Sequence, residues 1–201
     1  MERIEKVKQI VREILENSAE QSLAHRWDHV QRVYTIALKI AEKYNNVDTE
    51  LLQLAALLHD LDQPFNNKKE HAKLSAKKAA EVLAKVGYSR DVIEKVCKII
   101  LEHSSENELE TQRFSCLESK ILFDADKIDG AGAIGIARAL ILFGQQGRRI
   151  DECLEWYKKK IEKTLPFLQT EEARNLALRR LKFAEEFFNK YQEEINLSDI
   201  K

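Results

Sequence analysis

The chain is poor in turn formers, with 6 glycines and 2 prolines among 201 residues. Sandwiches and barrels need many tight turns, so this scarcity argues against them and favours few, long helices. Cysteine is equally sparse. Cys97, Cys116 and Cys153 are odd in number, far apart and without a CxxC pair, which excludes a cysteine-rich zinc site and fits a reducing compartment better than a disulfide framework. Positive charge is not in excess either. Lys+Arg number 33 against 34 Asp+Glu, a formal net charge of −1, so the basic surplus of a non-specific nucleic-acid or anionic-membrane binder is missing. Apolar runs fall short of the ~18 residues that span a bilayer. The charged amphipathic start, MERIEKVKQIVREILEN, lacks the apolar stretch of a signal peptide, and a cytoplasmic protein is expected. No P-loop, GxGxxG or GxSxG occurs, which removes the usual signatures of Walker, Rossmann and serine-hydrolase chemistry.

What the chain does have is 44% hydrophobic and 33% charged residues, the balance of a folded protein with a sizeable core. Ile4, Val7, Val11 and Ile14 recur at helical spacing and predict a first helix ending near Asn17. A second is predicted from about His25 to Tyr44, and a third from Glu50 to Leu61 with Asp48 as its N-cap. That third helix, LLQLAALLHDL, is apolar on nearly every side and belongs in the middle of a domain. QPFNN reads as a loop, followed by helices over about Lys68–Val86 and Asp91–His103, with Gly87 and Ser89 as stop and cap. SSENELETQRFSC reads as a surface loop. Glu118 to Asp129 is helical again, and GAGAIGIARALILFG continues in small residues that admit a close backbone or mark a kink. Two charged helices, about Ile150–Thr164 and Thr170–Ile195, close the chain around Leu165-Pro166. Lysine and arginine pairs such as Lys77-Lys78 and Arg179-Arg180 alternate with acids and read as solvated faces. The expectation is a single all-α domain over residues 1–201.

All five histidines fall between positions 25 and 103. His25 and His29 stand at i and i+4, the two-histidine spacing of an HExxH helix, but HRWDH lacks the glutamate that serves there as general base. His29 lies on the apolar line with Val33, Ile36 and Ile40, which suits a buried structural histidine as well as a ligand. His59-Asp60 ends the most hydrophobic helix. A buried carboxylate beside an imidazole costs several kcal/mol unless partnered, and a divalent cation such as Mn2+, Fe2+, Zn2+ or Ni2+ is one partner. In LFDADKIDG, Asp124, Asp126 and Asp129 crowd an apolar segment beside Lys127. They read either as a solvated face or as acids turned into the core, where Asp124, Asp129 and His103 could serve a second ion. His103 continues the stripe Val92, Val96, Ile99, which aims it inward or leaves it at a helix C-terminus. His71 follows Glu70 in a polar run and reads as a surface residue, and Asp62 reads either as an acid near the site or as a helix-end acid.

The order His29, His59-Asp60, Asp126 resembles the H…HD…D signature of the HD-domain superfamily of metal-dependent phosphohydrolases. AHRWDHVQRV, LAALLHD, ILEHSS and SKILFDADKIDGAGAIGIAR are similar to small bacterial and archaeal HD hydrolases of the YpgQ/YedJ type, as is the closing YKKKIEKTLPFLQTEEARNLALRRLKFAEEF. The resemblance implies one compact helical HD domain, its motif-bearing part about residues 22–140, with C-terminal helices over about 148–195 packed on it. It implies that His29, His59, Asp60 and Asp126 hold one divalent ion, Mn2+ first, with Ni2+, Fe2+, Mg2+ and Zn2+ as alternatives. It places Asp60, His103 and His25 in catalytic roles and Lys127 as a phosphate-binding group. The substrate it implies is a small phosphorylated molecule, a nucleotide or phosphate ester, with some relatives similar to nucleotide pyrophosphohydrolases. No nucleic-acid polymer or membrane partner is implied. The competing reading is a metal-binding helical sensor or scaffold with little turnover. After the HD pair, DQPFNNKKEH departs from the family's loop, and the segment between GIARAL and the penultimate helix is short.

Overall fold

The computed structural model describes residues 2–19, 21–63, 70–104, 109 and 112–200. Among these are nine α-helices and no β-sheet. They are α1 (Glu2–Asn17), α2 (Trp27–Ala41), α3 (Thr49–Leu58), α4 (His71–Val86), α5 (Arg90–Glu102), α6 (Leu117–Asp129), α7 (Gly132–Gln145), α8 (Ile150–Thr164) and α9 (Glu171–Ile195), with short 3-10 turns at Leu23–His25 and Leu165–Phe167.

Local sequence explains most boundaries. The Asp48 carboxylate accepts from the Leu51 amide and starts α3, Ser89 does the same for α5 and Thr170 for α9. Gly87, at φ 88°, takes the left-handed position that ends α4. Several predicted ends move, the second helix stopping at Ala41 and not near Tyr44. The second helix begins at Trp27 because Ser22 caps a separate 3-10 turn and Arg26 is extended between the two. The third stops at Leu58, so His59 and Asp60 lie just past its end. Most of the QPFNN loop, the predicted start of α4 before Glu70 and much of SSENELETQRFSC fall outside the described residues.

α3 packs against α1, α2, α4, α5 and α6. This ring of partners is why it is apolar all round: Leu52, Leu54, Leu57 and Leu58 are buried, each contributing about 1.5–3 kcal/mol of transfer free energy. α6 and α7 meet at a bend of 74°. The glycines there serve a close approach, since a Cβ on Gly135 would sit 2.0 Å from the Gly130 carbonyl oxygen. A Cβ on Gly132, at φ 72°, would meet the Arg180 Cβ at 2.9 Å. Arg180 therefore departs from the solvated face predicted for it: its stem packs on Gly132 and its guanidinium donates to the Ile128 carbonyl. α8 and α9 pack on α7, and α9 also reaches α6. No single helix among the described residues is long and apolar enough to cross a membrane.

Candidate metal centre

Five helices each deliver one end, or one turn, to a single buried cluster. His29 comes from the first turn of α2, His59 and Asp60 follow the end of α3, His71 opens α4, His103 follows the end of α5, and Asp126 lies on α6. His29, His59, Asp60 and His103 are almost wholly inaccessible. Asp60 is the hub. Its Oδ2 lies 3.3 Å from His29 Nε2 and 3.6 Å from His59 Nε2, and its Oδ1 lies 3.7 Å from His103 Nε2 and 4.0 Å from His71 Nε2. Asp126 Oδ1 is 3.5 Å from His29 Nε2.

The imidazoles are oriented by their outer nitrogens. His59 Nδ1 donates to the Ala56 carbonyl at 2.9 Å, and His103 Nδ1 to that of Ile100. Both acceptors are carbonyls in the last turn of their helices. His29 Nδ1 donates to Asp129 Oδ2 at 2.7 Å, and Asp129 is itself held by Arg32 Nε and Arg138 Nη1 at 2.7 and 2.9 Å. All three Nε2 atoms are thereby turned toward Asp60, the orientation that metal-ligating histidines use. The C-terminal ends of α3 and α5 add negative dipole potential at the same point.

Two ionised carboxylates and a neutral His59 meet in the cluster. Burial pushes the His59 pKa down to about 4, leaving a neutral imidazole at neutral pH. Burial and Arg138 also push His29 down, but its hydrogen bonds with Asp129 and Asp60 carry it above the ordinary imidazole value. Burial opposes the charge on Asp60, yet His59, His103 and His29 hold its carboxyl well below the usual range. Asp126 is likewise ionised against burial, by Lys127, His29 and His59. Within the ionised pair Asp60 and Asp126, the buried Asp60 Oδ1 has no hydrogen bond among the described residues. An ionised oxygen left so is costly, and a divalent cation is the partner that the donor set fits.

Two overlapping triads have ligand atoms close enough for an ion, His29–His59–Asp126 and His59–Asp60–His103. Both use His59, whose Nε2 has one lone pair, so they describe one centre. Asp124 and Asp129, considered for a second ion, are engaged elsewhere. Asp124 accepts from the Gln169 amide, the Thr170 amide and the Thr170 hydroxyl at 2.8, 2.7 and 2.6 Å, fastening the start of α9 to α6.

Other site residues depart from expectation. His71, read as a surface residue, is buried, with its ring 5.4 Å from that of His103. His71 opens α4, and that first turn faces in. His25 sits on the 3-10 turn and not on α2, yet its ring meets that of His29 edge-on at 5.3 Å. All five histidines thus form one chain of neighbouring rings, each within 5.4 Å of the next. Lys127 pairs with Asp126 Oδ2 at 2.6 Å and donates to the His103 carbonyl at 3.2 Å. Asp62 pairs with Lys78 at 2.8 Å, away from the cluster. Arg32 and Arg138 were not foreseen: an arginine four residues after Asp28, or amid the small residues of α7, looks unremarkable until Asp129 is located beneath both.

Above the cluster opens a cleft of about 400 Å³, bounded by His25, Asp60, His71, Asp126 and Lys127 on one side and by α8 on the other.

Fold and site together define a metal-dependent phosphohydrolase of the HD type. Residues 26–131, just over half of the chain, match the HD domain, and the chain belongs to that family. It is 29% identical to the uncharacterized protein YpgQ of Bacillus subtilis, over 97% of this chain and 95% of that one. The crystal structure of YpgQ in complex with ADP superposes with a TM-score of 0.74 at 26% identity, covering 96% of this chain and 97% of the other. An HD-superfamily hydrolase from Bacillus thuringiensis is 30% identical, with a TM-score of 0.73 and 97% coverage of both chains.

Proposed function

We propose that His29, His59, Asp60 and Asp126 hold one divalent cation, Mn2+ first among candidates. The chain then hydrolyses small phosphorylated substrates, and we assign it as a (deoxy)nucleoside triphosphate pyrophosphohydrolase. The observation that carries this reading is Asp60 Oδ1, ionised, buried and without a hydrogen bond at the floor of the cleft. The ADP bound to YpgQ supports a nucleotide as the occupant.

When bound, such a cation lowers the pKa of a coordinated water towards ~7 and offsets charge on the phosphoryl group. The protein's own groups do the rest. Asp60, which borders the cleft, turns Oδ2 to His29 and His59 and leaves Oδ1 without a hydrogen bond to orient the attacking water. The water oxygen bonds to the α-phosphorus, the bond from that phosphorus to the bridging oxygen breaks, and monophosphate and pyrophosphate leave. His103, 3.7 Å from Asp60 Oδ1, is placed to receive the water's proton, and His25 on the cleft wall to steady the departing phosphate. Lys127 adds positive charge beside Asp126.

Product analysis tests this. The protein with Mn2+ is incubated with a panel of nucleoside and deoxynucleoside triphosphates, beside a His59→Ala control. Monophosphate plus pyrophosphate, absent from the control, is the expected result. Nucleoside plus triphosphate, or activity on monophosphates alone, would retain the hydrolase and overturn the reaction assigned to it. No turnover with any member would favour the sensing reading.

A further inference from the structure

One wall of the cleft is built by one face of α8. The helix reads IDECLEWYKKKIEKT, and the residues it gives to the cleft include Trp156, Lys160, Lys163 and Thr164, at i, i+4, i+7 and i+8. That spacing makes a single stripe. Trp156 and Lys160 are half-buried, and the Lys160 ammonium lies 4.9 Å from the centre of the Trp156 ring. Lys159 also borders the cleft but is neutralised by Glu155 at 2.6 Å. Lys163 makes no ion pair among the described residues.

The acids bordering the same cleft, Asp60 and Asp126, are both in the metal cluster. Lys127, the cation beside them, is buried and already donates to Asp126 and to the His103 carbonyl, which limits what it can offer an incoming anion. A substrate with several phosphates carries more charge than the metal end alone can balance. Arg138 also borders the cleft but is engaged by Asp129 and the Ala24 carbonyl, and further positive charge stands on α8.

We propose that Lys160 and Lys163 form a polyphosphate subsite that holds the phosphates beyond the one at the metal, with Trp156 as its apolar floor. This deepens the nucleotide reading above and rests on it for the substrate at the metal end. The subsite makes the cleft selective for phosphate chains over a lone phosphate, because a chain can engage the metal end and α8 together.

The test is calorimetric titration of the Mn2+-loaded protein with the Mn2+ complex of inorganic tripolyphosphate, and separately with orthophosphate, in excess Mn2+. Wild type is expected to bind tripolyphosphate more tightly. Lys160→Ala/Lys163→Ala is expected to lose about tenfold or more of that affinity, since charge-assisted hydrogen bonds are removed, with its Mn2+ content unchanged. Lys163→Arg retains the affinity, and Lys158→Ala, on the other side of α8, serves as the folded control. Equal wild-type affinity for the two anions, or a loss below about threefold in the double variant, would overturn the subsite. Lysine-dependent tripolyphosphate binding without nucleotide turnover would uphold the subsite and overturn only the pyrophosphohydrolase assignment.

Discussion

The Nε2 atoms of His29 and His59 face each other at 3.3 Å, and each ring's Nδ1 is already committed, to Asp129 in one case and to the Ala56 carbonyl in the other. Two imidazole nitrogens brought that close, with two carboxylates beside them, call for positive charge in the gap. A ligand that binds only the folded state stabilises it by RT ln(1 + [L]/Kd), about 2.7 kcal/mol at a hundredfold excess over Kd. Removing the cation with a chelator is therefore expected to lower Tm by about 5–10 °C for a chain of this size. The shift should vanish in His59→Ala. Differential scanning fluorimetry with and without chelator reads both.

Asp129 orients His29 without facing the cleft, and it also gathers Arg32 and Arg138. Replacement by Asn removes the charge that fixes the His29 ring and pairs the two guanidinium groups. Loss of such an outer partner typically costs 10–100-fold in metal affinity. Asp129→Asn is expected to weaken Mn2+ binding by about that factor by calorimetry, with Asp129→Glu recovering part of it.

Asp124 separates structural acid from site acid. Burial pushes its carboxyl up to about 6, although three donors from Gln169 and Thr170 favour the charged form. An Asn side chain has one oxygen and cannot accept from both ends. Asp124→Asn leaves a buried amide unpaired and is expected to cost about 1–3 kcal/mol of stability. Urea denaturation measures it, and Mn2+ content should stay at the wild-type level.

Tyr157 supplies a pH signature remote from the metal cluster. Burial pushes its phenol up to about 12 from an ordinary 10.0, and the hydroxyl donates to the Gly132 carbonyl. Below the unfolded value both states keep the proton and stability is unaffected. Between the two values the unfolded chain releases it and the folded chain holds it, so stability falls as pH rises, by about 2–3 kcal/mol across the window. Tyr157→Phe lacks this loss. Denaturation at several pH values above 9 should show wild type losing stability faster than the variant.

The site was legible where chemistry conflicts with its surroundings. His59-Asp60 ends the apolar run LAALLHD, and Asp126 follows Leu122, Phe123 and Ala125, so each was a polar group set among apolar neighbours in the sequence. The helices were equally plain, because caps such as Asp48, Ser89 and Thr170 act within three residues. What the sequence hid is long-range. His71 has polar neighbours on its own helix, and only the packing of α4 against α5 turns it toward Asp60. Arg138 reaches Asp129 across the bend between α6 and α7, whose 74° angle is set by contacts such as Gly135 on Gly130. Asp124 and Asp126 stand two apart on one helix, yet one holds α9 and the other joins the cluster.

The central claim is that a single cation held at His29, His59, Asp60 and Asp126 is what makes the protein a phosphohydrolase. Titrating the metal-free chain with Mn2+, while following free Mn2+ by electron paramagnetic resonance and nucleotide hydrolysis in the same sample, tests it most directly. The account predicts that activity rises with bound metal and saturates near one ion per chain, and that His59→Ala neither binds Mn2+ nor turns over substrate. Full activity in the metal-free chain, or hydrolysis by His59→Ala equal to wild type, would contradict it.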